Sequence, residues 1–147
     1  MADLVREIMI DASPETIFPY LTETERWLEW EGTEGELDPR PGGIYRVVVA
    51  GSFVGVGEFV EVVPNERVVF TFGWDMPDNP IKPGSTTVEI TLQSEGDKTR
   101  LRLVHSGLPD DEAVEMHTQG WDHYLGRLTV VAAGGSVGPD TGPGGNG

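Results

Sequence analysis

Cysteine is absent from these 147 residues, which excludes disulfides, thiolate metal ligands and a cysteine nucleophile and leaves any structural zinc to other donors. That absence fits a reducing cytoplasm. Basic residues are scarce: 10 Lys and Arg stand against 25 Asp and Glu, a formal net charge of −15. Such a chain repels the phosphate backbone instead of neutralising it, so nucleic acid and anionic membrane surfaces are not its expected partners. Nowhere do about 18 apolar residues run together, so no membrane insertion is expected. Met1-Ala2-Asp3-Leu4-Val5-Arg6-Glu7 has neither the basic start nor the apolar core of a signal peptide. We expect a soluble, cytoplasmic protein. Phosphate loops, dinucleotide fingerprints and nucleophile elbows are missing as well. Gly51-Ser52-Phe53-Val54-Gly55 has the serine but falls in a hairpin, not between a strand and a helix.

What is there fits one domain, and a chain of this length buries about 68–70% of its unfolded surface. From Gly134 the composition changes to a Gly- and Pro-rich run. Such a run buries too little apolar surface to offset its ordering entropy. The expected division is therefore a folded domain over 1–133 and a disordered tail over 134–147.

Leu4, Ile8 and Ile10 share one face of an opening strand. Ser13 then suits a helix cap, with Pro14 at the first position and Glu15 near the positive helix terminus. Pro19 lies too far inside that helix to be harmless, so the helix should be short or kinked. A second short helix is expected to hold Trp27 and Trp30 on a shared face. Five antiparallel strands follow: Ile44 to Ala50, Phe53 to Val63, Arg67 to Trp74, Thr86 to Gln93 and Thr99 to His105. Alternation puts Val68, Phe70, Phe72 and Trp74 on one face, with Val88, Ile90 and Leu92, and Leu101, Leu103 and His105. Phe53 to Val63 is apolar on both sides, although Gly55 and Gly57 permit a bulge or bend.

The chain closes on a long helix, Asp110 to Ala133, whose Met116, His117, Gly120, Trp121, Tyr124, Leu125 and Leu128 come close to the three-and-four spacing of a buried stripe. It should cover the apolar face of the sheet.

Four pieces in this order resemble one family. They are Ile10-Asp11-Ala12-Ser13-Pro14-Glu15-Thr16-Ile17-Phe18, the Pro41-Gly42-Gly43 turn, Gly57 to Phe72, and Gly120-Trp121 with Leu125 and Leu128. The family is named for the activator of heat-shock-protein ATPase (AHSA-type), in the START-like (SRPBCC) superfamily of helix-grip folds. The resemblance covers the chain to about Ala133. It implies an α+β fold in which a curved antiparallel sheet grips the long C-terminal helix around a tunnel or cavity. Members serve variously as co-chaperone domains, lipid or polyketide binders, resistance proteins and cyclases, so fold does not settle chemistry. Pro19, where members commonly continue the helix, and the Gly-rich tail depart from the pattern.

Eight aromatics, Phe18, Trp27, Phe53, Phe70, Phe72, Trp74, Trp121 and Tyr124, are together expected to line an apolar pocket, although each alone reads as core. Parity places His105 on the concave face, either as a ligand-binding group or base, or as a core-edge histidine bonded to protein partners. His117 falls on the inner stripe of the last helix. His123, six residues on, is about 120° away around the helix, so the two cannot form a one-turn metal pair. Glu58 shares parity with Val54, Val56, Val60 and Val62; on a concave face it is a buried acid and ligand anchor, on a convex face a solvated one. Tyr45 and Tyr124 offer hydroxyls that could orient a ligand oxygen. The acids Glu29, Glu31, Glu34, Glu36 and Asp38 cluster at the entry to the sheet, and Asp110, Asp111, Glu112 and Glu115 favour the dipole of the last helix.

We therefore expect a protein that binds a small hydrophobic molecule, lipid, aromatic or polyketide-like, between sheet and helix without cofactor or obligatory metal. Cyclase or hydrolase-like chemistry by His105 or Glu58 is the enzymatic alternative. The family name suggests a third role, a module acting on a chaperone ATPase in stress response, whose acidic surface would steer a basic partner. Exposed strand edges make a homodimer a further expectation.

Overall fold

Strand pairing begins and ends at the two edges of one curved sheet, and the last helix lies in the curve. A computed structural model describes residues 2 to 142. Its elements are β1 (Ala2–Ile10), α1 (Pro14–Thr22), α2 (Thr24–Trp27), β2 (Glu34–Leu37), β3 (Ile44–Val49), β4 (Phe53–Val63), β5 (Arg67–Trp74), β6 (Thr86–Glu95), β7 (Lys98–Leu108) and α3 (Asp111–Ala132). The seven strands form one sheet in the order β1-β7-β6-β5-β4-β3-β2, every neighbouring pair antiparallel. This is the expected α+β helix-grip architecture.

Local chemistry accounts for the helices. Ser13 Oγ accepts from Thr16 N at 3.2 Å, and Pro14 opens α1 where its missing N–H costs nothing. α1 is short, as expected, at nine residues with Pro19 inside it, and it ends where Glu23 turns extended. Asp110 caps α3 by accepting from Ala113 N at 2.8 Å. Trp30 lies one turn beyond the end of α2, yet it still meets Trp27, with ring centroids 4.7 Å apart. β2 went unanticipated because Glu-Gly-Glu-Leu has little strand propensity. It is a short edge strand held by its pairing with β3.

The predicted faces of β5, β6 and β7 hold: Val68, Phe70, Val88, Ile90, Leu101, Leu103 and His105 are all inaccessible to solvent. On β4 the face changes partway. Phe59 pairs with Phe70, but Glu61 pairs with Val69 and Val62 with Val68, so one extra residue is inserted between Phe59 and Glu61. This bulge breaks the parity that grouped Glu58 with Val62. Gly55 falls on the concave side, while a Cβ on Gly57 would run into Thr71. A Cβ on Gly55 would stand 2.7 Å from the Phe72 ring, so glycine lets that ring settle on the strand.

α3 lays Ala113, His117, Trp121, Tyr124, Leu125, Leu128 and Val131 toward the sheet and α1. Met116, assigned to this stripe from its spacing, is instead 63% exposed, because it sits about 100° around the helix from His117.

The Gly-rich segment expected to be disordered continues against the body as far as residue 142. Val137 packs on the core, and Asp140 is buried and hydrogen-bonded. A charged group accepting several hydrogen bonds supplies what apolar burial cannot in such a sequence. The rest of the predicted tail, 143–147, lies outside the described residues.

Candidate functional site

Two histidines and two tryptophans meet where α3 crosses β5, β6 and β7. His117 and Trp121 come from successive turns of α3, Trp74 from the end of β5 and His105 from β7. The two imidazoles stand edge to face, with centroids 5.4 Å apart. Their hydrogen bonds fix both tautomers. Trp121 Nε1–H donates to His105 Nδ1 at 3.1 Å, so that nitrogen is the acceptor. The Thr86 hydroxyl gives its hydrogen to Phe72 O at 2.7 Å. It must therefore accept from His105 Nε2–H, 2.8 Å away. His117 is the mirror case: Trp74 Nε1–H donates to its Nε2 at 3.1 Å, and its Nδ1–H donates to Ala113 O at 2.7 Å.

Both rings are thus neutral, with both nitrogens in use. Burial, with His117 beside it, pushes the His105 pKa down to about 3. Burial also lowers that of His117, against the opposing pull of the Ala113 carbonyl. A general base needs a free lone pair, and the His105 lone pair is taken by an indole. Parity located His105 correctly, and its partners are those of a core-edge histidine. Among the described residues, no group of three His, Asp or Glu side chains could hold a metal ion.

The predicted aromatics divide by position. Trp27 and Phe70 are fully buried and pack edge to face at 5.9 Å, with Tyr45 stacked on Phe70 at 4.2 Å. Their faces are spent on one another. Phe72 turns an edge to Trp74 at 4.9 Å and to His105 at 5.4 Å. Trp74 in turn meets Phe53 at 6.4 Å, and Phe53 is 49% exposed. Phe18 is a half-buried residue of α1 packed against the core. Glu58 is exposed on the convex face, the outcome set by the position of the bulge, so it is not a buried acid.

Sequence reasoning missed a second polar cluster. Asp140 accepts from Tyr124 Oη at 2.7 Å, Gly32 N at 2.8 Å, Ala50 N at 3.0 Å and Gly142 N at 2.9 Å. Burial alone would raise its pKa, and these four bonds overcome that and hold it low. Glu31, buried nearby and bonded to Trp27 Nε1 at 3.1 Å, is pushed up to about 8 by burial, with the Asp140 charge adding to the rise. Burial raises both phenols too, Tyr45 beside Glu31 and Tyr124 on Asp140. Arg127 donates from Nε to Trp30 O at 2.9 Å and from Nη2 to Gly138 O at 2.7 Å. Its Nη1 is buried without a partner. The available signals were the four-residue spacing of Trp27 and Glu31 and the single acid of the Gly-rich run.

Beside this cluster an open cavity of about 540 Å³ is lined by Leu28, Arg127, Val131, Val137 and Asp140, among others. Another, of about 270 Å³, lies along α1 at Pro19 and Tyr20. Neither is lined by the predicted aromatic set, apart from the contact of Tyr124 with Asp140 at the edge of the first.

Solved structures with this fold are numerous. An AHSA1-like protein from Rhizobium etli, solved by solution NMR, is 48% identical with a TM-score of 0.75, covering 95% of this chain and 86% of its own. The AHSA1 protein of Silicibacter pomeroyi is 28% identical with a TM-score of 0.75, over 90% of this chain and 98% of that one. An HSP90 activator from Plasmodium falciparum shares the fold at 21% identity and a TM-score of 0.73, over 89% of this chain and 96% of its own. No curated protein matches the sequence. The family model described as activator of Hsp90 ATPase homolog 1-like protein matches residues 11–133. With the capped first helix, six of the seven strands including the bulged β4, and the gripped α3 all inside that span, the chain belongs to this family.

Proposed function

We propose that the chain binds a small apolar molecule, a lipid or an aromatic or polyketide-like compound, at the end of the grip bounded by Phe53, Phe72, Trp74, His117 and Trp121. One observation carries this reading: an aromatic surface reaches from the buried Phe72 through Trp74 to the half-exposed Phe53. Exposed phenylalanine beside half-buried tryptophan costs hydration free energy that a ligand would recover. The indole N–H groups of Trp74 and Trp121 are already used by the histidines, so a ligand would meet ring faces and edges. A Cβ added to Gly120 on α3 would meet nothing within 4 Å, so the helix carries no side chain there.

Binding is favoured over catalysis because the two groups that would carry acid–base chemistry are otherwise disposed. His105 is neutral with both nitrogens bonded, and Glu58 points to solvent.

Native mass spectrometry of the freshly purified protein, then denaturing extraction, is the first test. A stoichiometric adduct supports a carrier and names its ligand class. Phe53→Ala, at an exposed position, and Trp74→Ala should then each lower affinity by about tenfold. Unchanged affinity in the folded variants would remove this site.

The charge of −15 favours a second reading, docking on a basic surface of a chaperone ATPase. An association rate with a purified chaperone ATPase that falls steeply between low and moderate salt would support it. No association at low salt would discard it.

A further inference from the structure

The last described segment, 134–142, is tied to the body mainly through side chains. It leaves α3 at Gly134, which has φ +98°, and returns past the loop between α2 and β2 and the β3–β4 hairpin. Beyond the two backbone bonds that close α3, from Gly134 N to Val131 O and from Gly135 N to Val130 O, the hydrogen bonds that hold it are those from Arg127 Nη2 to Gly138 O and from Gly32 N, Ala50 N and Tyr124 Oη to Asp140.

The body's half of this arrangement is built in advance. Gly32 and Ala50 donate from left-handed backbone, at φ +94° and +53°. For Ala50 that conformation costs about 1–2 kcal/mol. Tyr124 is fixed by α3. Two N–H groups and a phenol thus converge on one carboxylate, the donor set by which a protein receives an anionic oxygen pair. Beside them Arg127, only 5% exposed, keeps Nη1 without a partner. Next to these donors lies the cavity of about 540 Å³, whose apolar wall includes Leu28, Val131 and Val137. Polar donors at one end and an aliphatic wall along the side describe an amphiphilic acid.

We propose that Gly32 N, Ala50 N, Tyr124 Oη and Arg127 form a receptor site for the carboxylate of a small amphiphilic acid, and that Asp140 occupies it in cis. An incoming acid replaces Asp140 on the three donors, gains Arg127 as its counter-charge, and lays its chain on Leu28 and Val131 where Val137 now packs. The strap is therefore a competitor, and ligand binding releases it. This site is separate from the aromatic end of the grip, and neither proposal needs the other.

Octanoate is the probe, titrated calorimetrically into the full chain. Removing the internal competitor by Asp140→Ala should tighten octanoate binding by about tenfold or more. Tyr124→Phe in that background should return most of the gain. Octan-1-ol, of equal length without the carboxylate, should show no difference between wild type and Asp140→Ala. Equal octanoate affinity in both proteins, or an equal gain for octanol, overturns the proposal. Should Asp140→Ala fail to fold, wild-type protein is decisive by amide NMR at increasing octanoate. The Val137 and Gly142 resonances should move to free-chain positions while Gly32 and Ala50 stay hydrogen-bonded. Strap resonances that hold still up to the solubility limit of octanoate overturn it as well.

Discussion

At the scale of single residues, the inner end of the grip is decided by which atom donates to which. Each indole gives its one N–H to a histidine, and each histidine passes its own N–H to an oxygen, Thr86 Oγ1 or Ala113 O. Replacing His105 by Phe preserves ring volume but strands the Trp121 donor in the core. This should destabilise the fold by about 2 kcal/mol, read by urea denaturation. Trp121→Phe removes the same donor. In the double variant the two losses should fall short of their sum by about 1 kcal/mol or more, the signature of a shared bond. Strict additivity would mean that the bond contributes nothing. Sequence carried half of this. Alternation along Leu101, Leu103 and His105 gave the direction of the ring, because strand period is local information. Its partners come from β5, β6 and α3 and appear only once the sheet has curled. Glu31 and Asp140 were illegible for the same reason, since their meeting joins positions 109 residues apart on the surface of the sequence.

At the scale of elements, glycine marks where the grip is tight and where it is loose. Gly55 lies under the Phe72 ring, so a Cβ there enters occupied space at 2.7 Å. Gly55→Ala should cost about 1–3 kcal/mol through displacement of that ring. Gly120, in the middle of α3, has nothing within 4 Å of an added Cβ. Helix propensity then dominates, and Gly120→Ala should stabilise the free protein by about 0.5–1 kcal/mol. Thermal unfolding of the two variants gives opposite signs if these spaces are as described. If the apolar ligand uses the gap beside Gly120, the variant that gains stability will lose affinity, which separates a packing residue from a binding one. Elements read well wherever period was strong, as in β5, β6, β7 and α3. They read poorly at β2, whose four residues are held by pairing with β3, and in β4, where an inserted residue reverses the face without any mark in the composition.

At the scale of the whole molecule, three buried groups, two of one tendency and one of the other, shape how stability depends on pH. His105 has an ordinary pKa of 6.5 and about 3 in the fold. Between those values the unfolded chain binds the extra proton, so stability rises with pH up to about 6.5, and His117 acts in the same direction. Glu31 runs the other way, from an ordinary 4.5 to about 8 in the fold. Across that window the folded state holds the extra proton, so the contribution of Glu31 is fully present below 4.5 and is lost as pH rises toward 8. Up to 6.5 the histidines offset this loss. Above 6.5 only Glu31 of these three still titrates, and stability should decline. His105 and Glu31 nearly cancel between about pH 4.5 and 6.5, so these three groups give a broad shoulder that His117 tilts upward toward pH 6.5, and a decline above it. Glu31→Gln keeps an acceptor for Trp27 Nε1 and removes the titration. At pH 8 it should exceed wild type by about 3 kcal/mol in urea denaturation, a gap that closes toward pH 5. Parallel profiles would mean that Glu31 is ionised in the folded protein beside Asp140. The Asp140 strap would then be held against a second buried negative charge, a repulsion that salt screens little.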